Sequence, residues 1–96
     1  MSAFIVGYVT VTDPSWVEEY GPKVEAQVLA HGGKYLARAP EIEKLEGSMD
    51  VPSVAVVLEF PTADAARAWY NSDEYAPMIE LRQTGSNGDL MLFEGL

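Results

Sequence analysis

The strongest constraint on the fold is the order in which strand-like and helix-like segments follow one another. β-Branched and aromatic residues are concentrated in four segments, at residues 4–11, 34–39, 53–60 and 90–94. Helical periodicity runs between the first and second of these segments and again between the third and fourth. The order β-α-β-β-α-β predicts an α+β fold of the ferredoxin-like type, with a four-stranded antiparallel sheet and the helices on one face.

Local signals set the expected ends of these elements. Helix N-caps are predicted at Asp13, Thr62 and Ser72, because short polar side chains there can accept hydrogen bonds from the first turn. Pro22 follows Gly21 and is expected to kink the first helix or to divide it in two. The remaining predicted features are a short edge strand at residues 41–46, a loop at 47–52 and a turn at 85–89.

The predicted sheet has an uncovered face. Its strands carry apolar residues at nearly every position, yet the helices cover only one side. A large exposed apolar patch is rare on a soluble monomer. A second copy packed sheet to sheet about a two-fold axis would cover it, so the sequence predicts a homodimer.

Composition and charge exclude several classes of function. The chain has 96 residues and no cysteine, which indicates one domain over residues 1–96 and excludes disulfides, thiol nucleophiles and cysteine–zinc sites. The net charge is −9 and the six basic residues are scattered, so no nucleic-acid partner is expected. The N-terminus lacks the basic region of a secretory signal, and no apolar run reaches the ~18 residues of a membrane span. These features predict a cytoplasmic protein with no membrane partner.

Several short motifs, spread over the whole chain, resemble those of the domain-of-unknown-function family 1330. They are Val-Thr-Asp-Pro at 11–14, His-Gly-Gly-Lys-Tyr-Leu-Ala-Arg at 31–38, Leu-Glu-Gly at 45–47, Glu-Phe-Pro at 59–61, Ala-Ala-Arg-Ala-Trp-Tyr-Asn-Ser at 65–72, Glu-Tyr at 74–75, Leu-Arg at 81–82 and Glu-Gly at 94–95. The resemblance implies a dimeric α/β barrel, in which two ferredoxin-like subunits close their sheets around a central space. Relatives in that superfamily include cofactor-free monooxygenases, muconolactone isomerase-like enzymes and proteins of no assigned activity. Where the family has two glycines after the arginine of the second strand, this chain has Ala39 and Pro40.

Two charged residues interrupt apolar strands and are candidate ligand-binding groups. Arg38 could anchor a small carboxylate or enolate, because its forked donors match two oxygens. It could equally form a structural ion pair, for example with Glu59 on the next strand. Glu59 itself could act as a base if burial raised its pKa, or it could pair with a cation or face solvent.

His31 and four aromatic residues are further candidates. His31 could serve as a general base, the usual role of histidine in catalysis, although at a helix end it could simply bond the last carbonyls. Trp69, Tyr70 and Tyr75 flank a helix break and could line a pocket or pack in the core. Tyr8 in the first strand could point its hydroxyl into the barrel or pack there.

Three interpretations of function remain open. The barrel could bind a small aromatic or acidic molecule, with Arg38 binding the charged group of that molecule. It could be a cofactor-independent enzyme of the monooxygenase or isomerase type, using His31, Glu59 or Asp89 as base. It could be a structural or interaction protein with a filled barrel. No phosphate-binding loop, nucleophile elbow or metal-ligand cluster is present in the sequence, so no cofactor and no metal are expected.

Overall fold

A computed structural model describes all residues, Met1–Leu96. Its elements are β1 (Ala3–Val11), a short 3₁₀ helix (Pro14–Trp16), α1 (Val17–Ala30), β2 (Lys34–Ala39), β3 (Val54–Phe60), α2 (Ala63–Tyr70), α3 (Ala76–Thr84) and β4 (Ser86–Glu94). The strands form one antiparallel sheet in the order β2-β3-β1-β4. This arrangement confirms the predicted ferredoxin-like α+β fold. None of the helices has the length and apolar character needed to cross a membrane.

Polar side chains bond the first amides of two of the helices. The Asp13 carboxylate accepts from the Ser15 amide at the start of the 3₁₀ helix, and the Thr62 hydroxyl accepts from the Ala65 amide at the start of α2, both at 3.0 Å. These two predicted caps are confirmed. The cap predicted at Ser72 is wrong, because α3 begins after Tyr75 without a side-chain cap and Ser72 accepts from the Tyr75 amide, at 3.2 Å, in the turn before the helix.

Gly21-Pro22 does not divide the first helix in two, so that prediction from the sequence is wrong. α1 runs from Val17 to Ala30 with Pro22 inside it. Proline removes the hydrogen bond to the carbonyl four residues earlier, and its ring crowds that carbonyl. That carbonyl belongs to Glu18, in the exposed first turn of α1, so the loss falls where the helix is least dependent on its own hydrogen bonds.

Two further predictions of secondary structure are wrong. Residues 41–46 form no strand; β2 ends at Ala39, and Pro40 after it has no amide to donate to a ladder. The predicted turn at 85–89 is instead the first part of β4, in which Ser86 pairs with Val11 and Gly88 pairs with Val9. Pairing with the full length of β1 outweighs the turn preference of Asn87-Gly88.

All three α-helices pack on one face of the sheet and bury one core. Val24 and Val28 of α1, Trp69 of α2 and Met78 of α3 meet sheet residues such as Leu58. The aromatic residues of the core are stacked, with Trp69 4.2 Å from Tyr75 and 5.7 Å from Phe60 between ring centroids. Burial of large aromatic side chains supplies much of the stability of a chain this short.

The other face of the sheet stays open. Tyr8, Met91 and Phe93 are 41%, 62% and 52% exposed there, and the Phe4 ring lies beside Phe93. The residues paired with them on neighbouring strands face the same side of the sheet, because successive side chains along a strand point to opposite faces. An apolar surface is thus left without a partner inside the chain.

Candidate functional site

A cavity of about 280 Å³ lies between the sheet and the helices and opens to solvent. Twelve of its sixteen lining residues are hydrophobic. Strand residues such as Val56 and Leu58 line one side, and Trp16, Tyr20 and Trp69 line the other. No aspartate, glutamate or histidine lines the cavity. Its polar side chains are arginines, tyrosines, tryptophans and one serine, which are hydrogen-bond donors or cations.

Arg82 is the most unusual residue of this cavity. It lies in the last turn of α3, seven residues after Tyr75, and therefore on the face that α3 turns toward the core. Its side chain is only 5% exposed, it forms no ion pair, and its Nε has no hydrogen-bond partner. Arginine is almost never fully buried unless paired. The structure thus holds a buried cation against an apolar cavity without an acidic partner.

The hydroxyl groups of Tyr20 and Tyr75 share a short hydrogen bond of 2.6 Å inside the same cavity. Burial raises the pKa of both phenols, and the nearby Arg82 cation opposes that shift. Both groups therefore remain protonated at neutral pH. One hydroxyl donates to the other, which leaves one O–H of the pair free to donate to a bound molecule.

Tyr35 and Arg38 form a second polar group, at the solvent end of the cavity. The Arg38 guanidinium carbon lies 4.4 Å from the centroid of the Tyr35 ring, a cation–π contact. Arg38 is exposed and yet lines the cavity, so it stands where the cavity meets solvent. Burial raises the pKa of Tyr35, with Arg38 opposing that shift.

An irregularity in β2 directs both side chains to the cavity. Tyr35 pairs with Leu58 and Ala37 pairs with Val57, so Leu36 is an extra residue in the ladder. Residues three apart normally point to opposite faces of a strand. The bulge puts Tyr35 and Arg38 on the same face.

Trp69 and Tyr75 are the aromatic candidates that line this cavity, together with Arg38. The Trp69 indole N–H is buried without a partner. Tyr70 lies elsewhere, 38% exposed beside a second depression between α2 and β4. Tyr8 is on the open face of the sheet and does not line the cavity.

The candidate bases also lie outside the cavity. Glu59 forms an ion pair of 3.5 Å with Lys34, so the alternative pair between Glu59 and Arg38 is not made. The Nδ1 of His31 donates to the Gln27 carbonyl at 3.0 Å, at the C-terminus of α1. Asp89 is exposed and pairs across the sheet with Tyr8. No group of three or more potential metal ligands is assembled.

Three of the lining residues that form the polar groups of the cavity, Tyr20, Tyr35 and Arg82, were not among the sequence candidates. Tyr20 and Arg82 stood in the sequence as members of helical stripes, and Tyr35 as a strand residue. An arginine at a core position of an amphipathic helix is the one signal that could have identified this site, because arginine is rarely placed there without a partner.

Comparison with known proteins relates the chain to one family and to several solved structures. Residues 2–96 match the family described as a domain of unknown function, DUF1330. A search of curated proteins gives no significant match. A protein of unknown function from Rhodopseudomonas palustris superposes with a TM-score of 0.81 and 17% identity, over 99% of this chain and 82% of that one.

Two further solved structures share the fold at the same low level of sequence identity. SnoaB, a cofactor-independent oxygenase from Streptomyces nogalater, has a TM-score of 0.71 and 17% identity, over 99% of this chain and 93% of its own. A dimeric ferredoxin-like protein of unknown function from Thermobifida fusca has a TM-score of 0.69 and 17% identity, over 99% and 92%. Identity at this level supports the fold alone. Because the family match spans nearly the whole sequence, the chain belongs to the DUF1330 family.

Proposed function

We propose that the cavity between sheet and helices binds a small organic anion, with the acidic group of the ligand on Arg82. The observation that carries this proposal is the buried guanidinium, which lines an apolar cavity and has no carboxylate partner. Removing an ion from water costs several kcal/mol unless good hydrogen bonds and an opposite charge compensate. A ligand carboxylate, phenolate or enolate would supply both.

The distribution of charge favours an anion at this place. The chain carries −9 overall, but the cavity is lined by two arginines and by no acidic residue. Its local field is therefore opposite in sign to that of the whole protein. In an apolar, poorly solvated site, charges interact more strongly than at the surface.

The remaining lining suits the rest of an aromatic ligand. Trp69 and Tyr75 offer stacked rings, and Val56 and Leu58 offer aliphatic contacts on the strand side. The volume of about 280 Å³ is just below the range for small-molecule sites, roughly 300–1,000 Å³. A ligand with a single ring, or a short unsaturated acid, is the size class that we expect.

The direct test is ligand-dependent melting of wild type, Arg82→Gln and Arg82→Met with benzoate, salicylate and cinnamate. A ligand at 100 times its dissociation constant adds about 2.7 kcal/mol, which raises the melting temperature of a chain this size by about 10 °C or more. Arg82→Met is included because an apolar side chain of similar length can replace a buried ion without loss of stability. Arg67→Gln is the matched control, since Arg67 is exposed and pairs with Asp64 far from the cavity lining.

We expect one acid or more to stabilise wild type and Arg67→Gln, and to leave both Arg82 variants unchanged. If no organic acid stabilises wild type, or if the Arg82 variants respond as wild type does, the anion site is wrong.

Cofactor-independent catalysis is the second candidate, favoured by the donors around the cavity. Arg82 and the free hydroxyl of the Tyr20–Tyr75 pair could stabilise negative charge on the oxygen of an enolate. Molecular oxygen would be the oxidant, converting a CH₂ group to a carbonyl with release of water. The proton would have to leave an already acidic substrate, because His31 and Glu59 lie outside the cavity. Oxygen consumption with any ligand found by melting separates this candidate from simple binding.

We further propose that the open face of the sheet is covered by a second copy of the chain. Tyr8, Met91 and Phe93 form an exposed apolar surface on a chain that is otherwise strongly acidic. The similar fold from Thermobifida fusca is a dimeric protein. Two-fold pairing of identical apolar surfaces is self-complementary and closes without further association.

A further inference from the structure

The ion pairs of the chain are distributed unevenly between the surface and the cavity. Three ion pairs form, which join Lys23 to Glu19, Lys34 to Glu59 and Arg67 to Asp64. The cation of each pair is largely exposed. Lys44 is exposed in the loop after β2. The other two basic residues, Arg38 and Arg82, line the cavity and form no ion pair, although the chain has fifteen acidic residues. The chain therefore supplies partners to three of the four cations outside the cavity, Lys44 being the exception, and to neither cation that lines it.

The two unpaired arginines differ in depth. Arg82 is buried beside the Tyr20–Tyr75 pair, whereas Arg38 is exposed at the opening. Arg38 is held over the Tyr35 ring, which restricts a side chain that would otherwise move freely in solvent. The bulge at Leu36 gives it this direction. A cation is thus fixed at the opening as well as in the interior.

Apolar side chains line much of the cavity besides the two arginines and the hydroxyl groups near them. Val56 and Leu58 line the strand side of the cavity, and Trp69 lines the helix side. A flat hydrocarbon core would contact these side chains. Acidic groups at both ends of such a core would meet the two arginines.

From this arrangement we propose that the ligand is a small organic dianion, with a flat unsaturated or aromatic core and two acidic groups. One acidic group pairs with Arg82 in the interior, and the other pairs with Arg38 at the opening. This inference rests on the proposed anion site at Arg82 and adds a second anchor to it. The two arginines contribute differently because their surroundings differ. Hydrogen bonds to a buried charge are worth about tenfold to a hundredfold in affinity. An exposed ion pair is worth roughly two- to fivefold and is weakened by salt.

The experiment compares terephthalate with its monomethyl ester, which has the same ring and nearly the same size but only one negative charge. Isophthalate tests whether the direction of the second carboxylate matters. Binding is measured by isothermal titration calorimetry at about 50 and 300 mM salt. The screening length between charges is longer than about 10 Å at the lower concentration and shorter at the higher one. The proteins are wild type, Arg38→Gln, Arg82→Gln and the surface control Arg67→Gln. Melting temperatures without ligand show whether each variant is folded.

We expect wild type and Arg67→Gln to bind a dicarboxylate about fivefold more tightly than the ester at low salt, with a smaller difference at high salt. Arg38→Gln should bind diacid and ester equally, and Arg82→Gln should lose at least tenfold for both. If wild type binds diacid and ester equally, or if Arg38→Gln weakens both to the same extent, the dianion inference is overturned while the Arg82 site stands. If wild type binds neither compound nor any other organic acid, the proposed function itself fails.

Discussion

Tyr20 and Tyr75 are 55 positions apart in the chain, and their hydroxyl oxygens lie 2.6 Å apart. The contact joins α1 to the residue before α3, on the wall of the cavity that also contains Arg82. Trp16 packs edge-on against Tyr20 at 5.1 Å, and Trp69 stacks on Tyr75. The hydroxyl pair therefore has two roles, because it holds two helices together and supplies a donor to the cavity.

The first prediction concerns the stability that this pair provides. Tyr20→Phe and Tyr75→Phe should each lower the free energy of unfolding by about 1 kcal/mol, because each leaves one buried hydroxyl without its partner. The double variant should lose less than the sum, since no hydroxyl is then left unpaired. Urea unfolding of the four proteins measures these values. Losses that simply add would show that the two hydroxyls do not depend on each other.

The second prediction is a loss of stability in alkali. Burial raises the pKa of Tyr20, Tyr35 and Tyr75 above the usual value near 10. The folded protein therefore keeps protons that the unfolded chain releases. For groups with a raised pKa, the contribution to stability is complete below the unfolded value and declines as pH rises above it. Urea midpoints should show no effect of these groups between pH 7 and 9 and should fall above about pH 10.

Tyr20→Phe is the matched variant for this dependence, because it removes one of the three buried phenols. Its midpoint should fall less steeply above pH 10 than that of wild type. Tyrosinate absorbance of the folded protein should also appear later than in unfolded chain. An unfolding midpoint that is independent of pH up to 11 would contradict the burial of these groups.

The sequence predicted the fold class because its signals were local and mutually consistent. Asp13 and Thr62 cap the helices as expected, and the strand order follows from the alternation of elements. The two wrong predictions of secondary structure have different causes. The turn predicted at 85–89 is a strand because β1 pairs with residues 86–89, a partner that the local pattern does not show. The strand predicted at 41–46 is not formed, and the chain leaves β2 at Pro40, which has no amide to donate.

The cavity was predictable only in part, because its geometry depends on contacts between distant segments. Arg38, Trp69 and Tyr75 were candidates from the sequence and do line it. Tyr35 reaches it because of a bulge, which shifts the side-chain alternation of β2 and leaves no recognisable mark in Lys34–Ala39. Arg82 occupies a regular position of the α3 stripe. Only the absence of any carboxylate near it, a tertiary property, distinguishes it from a paired core arginine.

The third prediction concerns Gly85, which connects the cavity wall to the sheet. Its carbonyl accepts hydrogen bonds from the amides of Thr12 and Asp13 and from the indole N–H of Trp16 at 3.2 Å. A methyl group at Gly85 would lie 2.7 Å from the Trp16 ring and still nearer to the Asp13 carbonyl, so the wall would have to move. Gly85→Ala should lower stability by about 1–3 kcal/mol, as overpacking does, and should weaken binding of any cavity ligand.

Gly21→Ala is the matched control for this change. Gly21 also lines the cavity, but a methyl group there meets no residue beyond its chain neighbours within 4 Å. Alanine is favoured over glycine inside a helix, whereas Pro22 crowds a Cβ on the residue before it, so these two effects oppose each other and the net change should be smaller than about 1 kcal/mol. Thermal unfolding should therefore show a lower midpoint for Gly85→Ala and little change for Gly21→Ala. Equal effects would show that Gly85 is not closely packed.

The last prediction concerns the open face of the sheet. The proposal that a second copy covers Tyr8, Met91 and Phe93 predicts that sedimentation equilibrium of wild type gives twice the mass of 10.5 kDa. Met91→Glu with Phe93→Glu would place two carboxylates, and their symmetry mates, in the centre of that contact. Buried unpaired charges of like sign are strongly unfavourable, so this variant should sediment as a monomer. Leu29→Glu is the control, since Leu29 is 60% exposed on α1 and away from the sheet face. Dissociation of Leu29→Glu with an intact dimer in the sheet variant would place the contact on the helices instead.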